Sequence, residues 1–111
     1  MGAFNTVTNS DSEVCPVCES LIRRRIQFKY GDTWQYDYVP GDELRWGGND
    51  TGVPARTVRV LGYPENCPVC DADDDRVFDI WIRDNVIAEI VRGSTADYIA
   101  DDSATYLVVD P

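Results

Sequence analysis

The tetrapeptide Cys-Pro-Val-Cys occurs twice in this chain, as Cys15-Pro16-Val17-Cys18 and as Cys67-Pro68-Val69-Cys70, and the two copies contain every cysteine of the sequence. Two thiolates spaced by two residues can reach a single ion. Two such pairs complete the tetrahedral sulfur shell that Zn²⁺ favours in structural sites. The expectation is one zinc ion per chain, held by Cys15, Cys18, Cys67 and Cys70. The stretch from Glu19 to Asn66 is much longer than the roughly 15–20-residue spacer of compact two-pair sites. A whole β-structure therefore has to sit between the ligands. The metal would clip together two points far apart in sequence, where loop closure gives a crosslink its largest effect.

These paired Cys-Pro-x-Cys stretches resemble the knuckles of zinc ribbons and of the rubredoxin-like folds that share their geometry. The resemblance covers the knuckles and their flanks. It implies that each knuckle is a tight turn at a hairpin, with backbone N–H groups aimed at the sulfurs, commonly with glycine after the second cysteine. Here Glu19 and Asp71 occupy that slot. Asp tolerates left-handed backbone better than Glu, so the first knuckle departs further from the pattern. Rubredoxins as a rule carry the glycine, which favours zinc over iron.

Outside the knuckles the dominant signal is alternation with period two. Ile22, Ile26, Phe28 and Tyr30 share one face of a strand whose other face carries Arg23, Arg25, Gln27 and Lys29; Arg24 is the exception on the apolar face. Beyond Gly31-Asp32-Thr33 the pattern resumes at Trp34, Tyr36 and Tyr38, which predicts a hairpin with the preceding strand. Leu44 and Trp46 start a short strand, Gly47–Pro54 reads as a loop, and Arg56–Leu61 alternates again. Val77–Ile82 and Val86–Val91 form a second hairpin about Asp84-Asn85, two residues that tolerate positive φ. Ala96–Ala100 is read as a helical turn and Tyr106–Val109 as a closing edge strand. Residues 1–13, rich in Asn, Ser, Thr and Asp, read as a flexible arm before a single β domain over 14–111. The fold class is all-β: a small antiparallel sheet or partly open barrel, with the zinc knuckles at one end and a long β insertion between them.

With 111 residues and 43% hydrophobic content, the chain can bury a core without relying wholly on its metal. No signal peptide or membrane-spanning run is evident, so a soluble, intracellular, cytoplasmic protein is expected; a reducing compartment also suits free thiolates. The formal net charge of −10 repels nucleic acid at long range and would steer a basic protein partner toward the surface. Histidine is absent and the four thiols are used as ligands, so the commonest bases and nucleophiles are missing or occupied, which argues against an enzyme. The reading is a zinc-stabilised interaction module that contacts another protein. A nucleic-acid-binding ribbon is the main alternative, with Arg23, Arg25 and Lys29 as its binding surface. Strand parity sets that stripe opposite the aromatics Trp34, Tyr36, Tyr38 and Trp46, which disfavours joint stacking and charge contacts. An acidic inhibitor or immunity-type protein is a further alternative. Thiol–disulfide chemistry ranks last, because neither pair opens a helix.

Overall fold

The computed structural model describes residues 4–73, 76–93 and 105–111. Among the described residues, nine strands account for the regular structure: β1 (Asn5–Val14), β2 (Leu21–Phe28), β3 (Gly31–Asp32), β4 (Asp37–Tyr38), β5 (Asp50–Thr51), β6 (Thr57–Pro64), β7 (Val77–Arg83), β8 (Val86–Gly93) and β9 (Tyr106–Asp110). Seven of them build one sheet in the order β4-β1-β2-β6-β7-β8, with β9 added against β6, while β3 and β5 pair separately. Every pairing in the large sheet is antiparallel except β1 with β4, so the fold is all-β and the sheet a mixed half-barrel. No helix of the described residues is long and apolar enough to cross a membrane.

The core lies on the concave face, where alternate residues of the strands converge. Val7, Ile26, Val58, Val60, Ile80 and Ile87 are wholly inaccessible there. Tyr30, Tyr38, Leu44 and Phe78 pack with them, and Tyr36 and Trp46 close the edge. Gly62 of β6 pairs with Phe28 of β2 on one side and Phe78 of β7 on the other, and a Cβ there would lie 2.5 Å from Ile26 Cγ2 and 3.1 Å from Ile80 Cδ1. That close approach requires glycine.

Several expectations are corrected. Residues 5–14 are not an arm but strand β1, paired with β2 and buried at Asn5, Thr6 and Val7. Polar composition concealed the strand because its polar groups are partnered internally. The Asn5 amide donates to Tyr30 O at 3.3 Å and Asp32 O at 3.1 Å and accepts the Tyr36 N–H at 3.0 Å, while the Thr6 hydroxyl donates to Asp37. The same Asn5 bonds explain the second correction. Residues 34–38 do not fold back on β2; they are gathered by Asn5, and β4 runs parallel to β1 instead. Third, Trp34, which the alternation sets on the face opposite the basic row with Tyr36 and Tyr38, is 62% exposed and does not join them in the core. Leu44–Trp46 makes no strand, and the local pairing is a single bridge between Glu43 and Val86. The β7–β8 hairpin forms as expected, with Asp84 and Asn85 at φ 51° and 67°. β9 takes its place against β6, while the expected turn at Ala96–Ala100 lies outside the described residues.

Candidate metal centre

The hairpin of β1 and β2 carries the first Cys-Pro-Val-Cys at its tip, and the second follows β6. Antiparallel pairing of Ile26–Phe28 with Gly62–Pro64 brings both tips to the same end of the sheet. Each tip has the same backbone bonding. The Glu19 N–H donates to Cys15 O at 2.9 Å and the Cys15 N–H to Ser20 O at 2.9 Å; the Asp71 N–H donates to Cys67 O at 2.9 Å and the Cys67 N–H to Ala72 O at 3.0 Å. Glu19 and Asp71 both take left-handed backbone, at φ 62° and 61°, in the slot that the resemblance assigns to glycine. The two turns therefore have one geometry despite their different residues.

All four sulfurs lie within 4.8 Å of one another. Cys15 and Cys70 are 3.7 Å apart and Cys18 and Cys67 are 3.8 Å apart, well beyond the roughly 2.05 Å of a disulfide. Cys15 and Cys67 are buried against Ile22, Cys18 is half-buried, and Cys70 reaches the surface. Backbone donors face the sulfurs: the Val69 N–H lies 3.4 Å from Cys67 Sγ. The Ser20 hydroxyl and then its backbone group push Cys18 down to about 6, and the Cys70 and Val69 N–H groups lower Cys67 as well. Cys70 is pushed up to about 12, because desolvation and the other three cysteines outweigh the Ala72 N–H that favours its thiolate. Four adjoining thiols cannot all ionise unaided. A cation among them removes that conflict, and the cluster can hold a metal ion.

Arg24, the exception to strand parity, proves to be a supporting residue. Only 2% exposed, it donates through Nη1 to Glu65 O at 3.0 Å and through Nη2 to Glu13 Oε2 at 3.3 Å. It thereby joins the strand entering the first knuckle to the segment entering the second. The one charged residue breaking an apolar face was the sequence signal for it; its partner Glu13 had none.

The other candidate surface is divided. Arg23 is exposed, Arg25 is held by Asp37 at 2.7 Å and Glu65 at 3.5 Å, and Lys29 is half-buried beyond the end of β2. Arg23 and Arg25 line one groove and Lys29 another. Of the aromatics placed opposite this row, Tyr38 is buried in the core and Tyr36 and Trp46 pack against it. No protein-family model matches the chain, and comparisons with curated proteins and with solved structures give no significant match.

Proposed function

We propose that the chain is a zinc-stabilised protein-binding module, in which the ion fixes two distant turns and the outward surface of the sheet engages another protein. The sulfur geometry carries the zinc half of this reading. A tetrahedral ion with metal–sulfur bonds of about 2.3 Å has sulfur–sulfur edges of about 3.8 Å, and the two sulfur pairs stand at 3.7 and 3.8 Å. Thiolate ligands and tetrahedral geometry favour zinc among the hard and soft divalent ions. Four protein ligands leave no open position for substrate, so the ion's role is structural. The zinc-ribbon likeness of the two knuckles supports the same choice.

The protein-binding half rests on charge and on the absence of histidine from the sequence, which favour recognition over catalysis. A net charge of −10 attracts a basic partner over a Debye length of about 10 Å at 0.1 M salt. An acidic inhibitor of a basic effector is a special case of this module. The alternative use of the cysteines is thiol–disulfide exchange, which needs accessible thiols.

Elemental analysis and thiol titration of protein purified without added metal separate these possibilities. The expected result is one zinc per chain, with thiols that label only after chelation and a melting temperature that falls when the metal is removed. Iron with the red colour of a rubredoxin would overturn the zinc assignment. Rapid labelling of two thiols in metal-replete protein would replace it with redox chemistry.

A further inference from the structure

Twenty acidic residues face ten basic ones in this sequence, so every cation has carboxylates to choose from. Seven arginines have taken one: Arg24, Arg76 and Arg92 meet Glu13, Arg25 meets Asp37 and Glu65, and Arg56, Arg59 and Arg83 pair with Asp110, Asp79 and Glu89. Arg45 lies over the Tyr36 ring, 4.8 Å from its centroid. Among the described residues, only Arg23 and Lys29 have no such partner. Both belong to the outward row of β2 and its extension, six residues apart, a span of about 20 Å in an extended chain. Between them the charge of Arg25 is cancelled.

The row floors two adjoining grooves. One, of about 780 Å³, runs beside the second knuckle, where Arg23, Arg25, Gln27, Glu65, Asp71 and the exposed Val69 line it. The other, of about 220 Å³, has Lys29 at its side and walls from Phe4, Phe28, Leu61 and Tyr63. Gln27 lines both, and the grooves meet along β6, where Tyr63 borders one and Pro64 the other. Tyr63 stands directly opposite Gln27 in the β2–β6 pairing, so it shares the outward face with the two cations.

We propose that this outward face is a docking trench for an extended segment of a partner protein, with a carboxylate at each end and apolar or aromatic side chains between. The inference rests on the protein-binding reading and names the surface it uses. The terminal carboxylates meet Arg23 and Lys29, and an apolar side chain between them enters the groove beside Phe4 and the exposed Tyr63. About seven extended residues cover the distance. Electrostatics selects this occupant over the alternatives. A nucleic-acid strand carries a phosphate at every residue and would set some of them against Asp37, Glu65 and Asp71, and a basic peptide would leave Arg23 and Lys29 facing like charge. Long-range attraction of a net-basic protein is compatible with it, because steering follows the total charge and docking follows local pairs.

The test is fluorescence anisotropy on the metal-loaded full chain. The probe is the labelled peptide Glu-Val-Thr-Tyr-Thr-Val-Glu, compared with versions ending in Gln or Lys and with oligo-dT. The glutamate-ended peptide should bind at least tenfold more tightly than the other three. Arg23→Gln and Lys29→Gln should each weaken it severalfold with zinc content unchanged, and Arg83→Gln, remote from the row, should not. Tighter binding of oligo-dT or of the Lys-ended peptide, or indifference to both substitutions, overturns the trench. If no probe binds, the trench is overturned, and capture from extract of the native host then tests the module reading on its own. A retained protein leaves that reading standing. No protein retained defeats it too.

Discussion

Tyr30 shows how a single side chain sets a condition on the whole core. Its ring is 1% exposed, with the Trp46 centroid at 5.2 Å and the Tyr106 centroid at 5.3 Å, and its hydroxyl donates to Val53 O at 2.5 Å. Gly52, at φ 81°, has no room for a side chain, because a Cβ would come 2.8 Å from that ring. Desolvation, and then the neighbouring Tyr106, push the Tyr30 phenol up to about 12. A raised folded-state value favours the neutral phenol. The associated stability is therefore complete below the unfolded value of about 10 and disappears as pH rises from about 10 to about 12. The difference is on the order of 2–3 kcal/mol. Thermal melting of the wild type should fall steeply across that interval. Tyr30→Phe, already less stable at neutral pH for want of the Val53 bond, should fall less; parallel falls would show that Tyr30 is not the group responsible.

At the level of elements, the two knuckles do the same work with unequal residues. Left-handed backbone costs a non-glycine residue roughly 1–2 kcal/mol, against roughly 0.5–1 kcal/mol of extra chain entropy lost by glycine. Glu19→Gly should accordingly stabilise the metal-loaded protein by about 0.5–1 kcal/mol. Asp71→Gly should give less, since Asp visits this region more readily. Urea unfolding measures both, and a loss of stability at Glu19→Gly would mean that its side chain contributes something the turn geometry does not explain. The knuckles were legible in the sequence because their spacing is itself the chemical requirement. The β7–β8 hairpin was legible because Phe78, Ile80 and Ile82 alternate up to the Asp84-Asn85 turn. β1 was not, since Asn5 and Thr6 are buried by virtue of bonds to residues about thirty positions away. No local pattern records such partners. The same bonds redirect residues 34–38, so the error at the arm and the error at the first hairpin have one cause.

Across the whole molecule, the sheet forks at β6. One side of this strand runs along β7 from Thr57 to Gly62; the other side is shared, with β9 beside Thr57–Val60 and β2 beside Gly62–Pro64. The β2 portion adjoins the second knuckle, whereas the β9 portion lies away from it. Hydrogen–deuterium exchange along this one strand should consequently divide in two when the metal is chelated under conditions that keep the sheet folded. The amide of Tyr63, on the edge of β6 that faces β2, should accelerate first as that pairing frays from the knuckle end, while that of Leu61, which donates to Thr105 O at 2.9 Å on the β9 side, keeps its protection until the sheet opens as a unit. Uniform acceleration from Thr57 to Tyr63 would instead mean that the ion and the sheet melt as one cooperative body. In the graded case a single strand reports on two events: its far half keeps time with global unfolding, and its near half with loss of the ion.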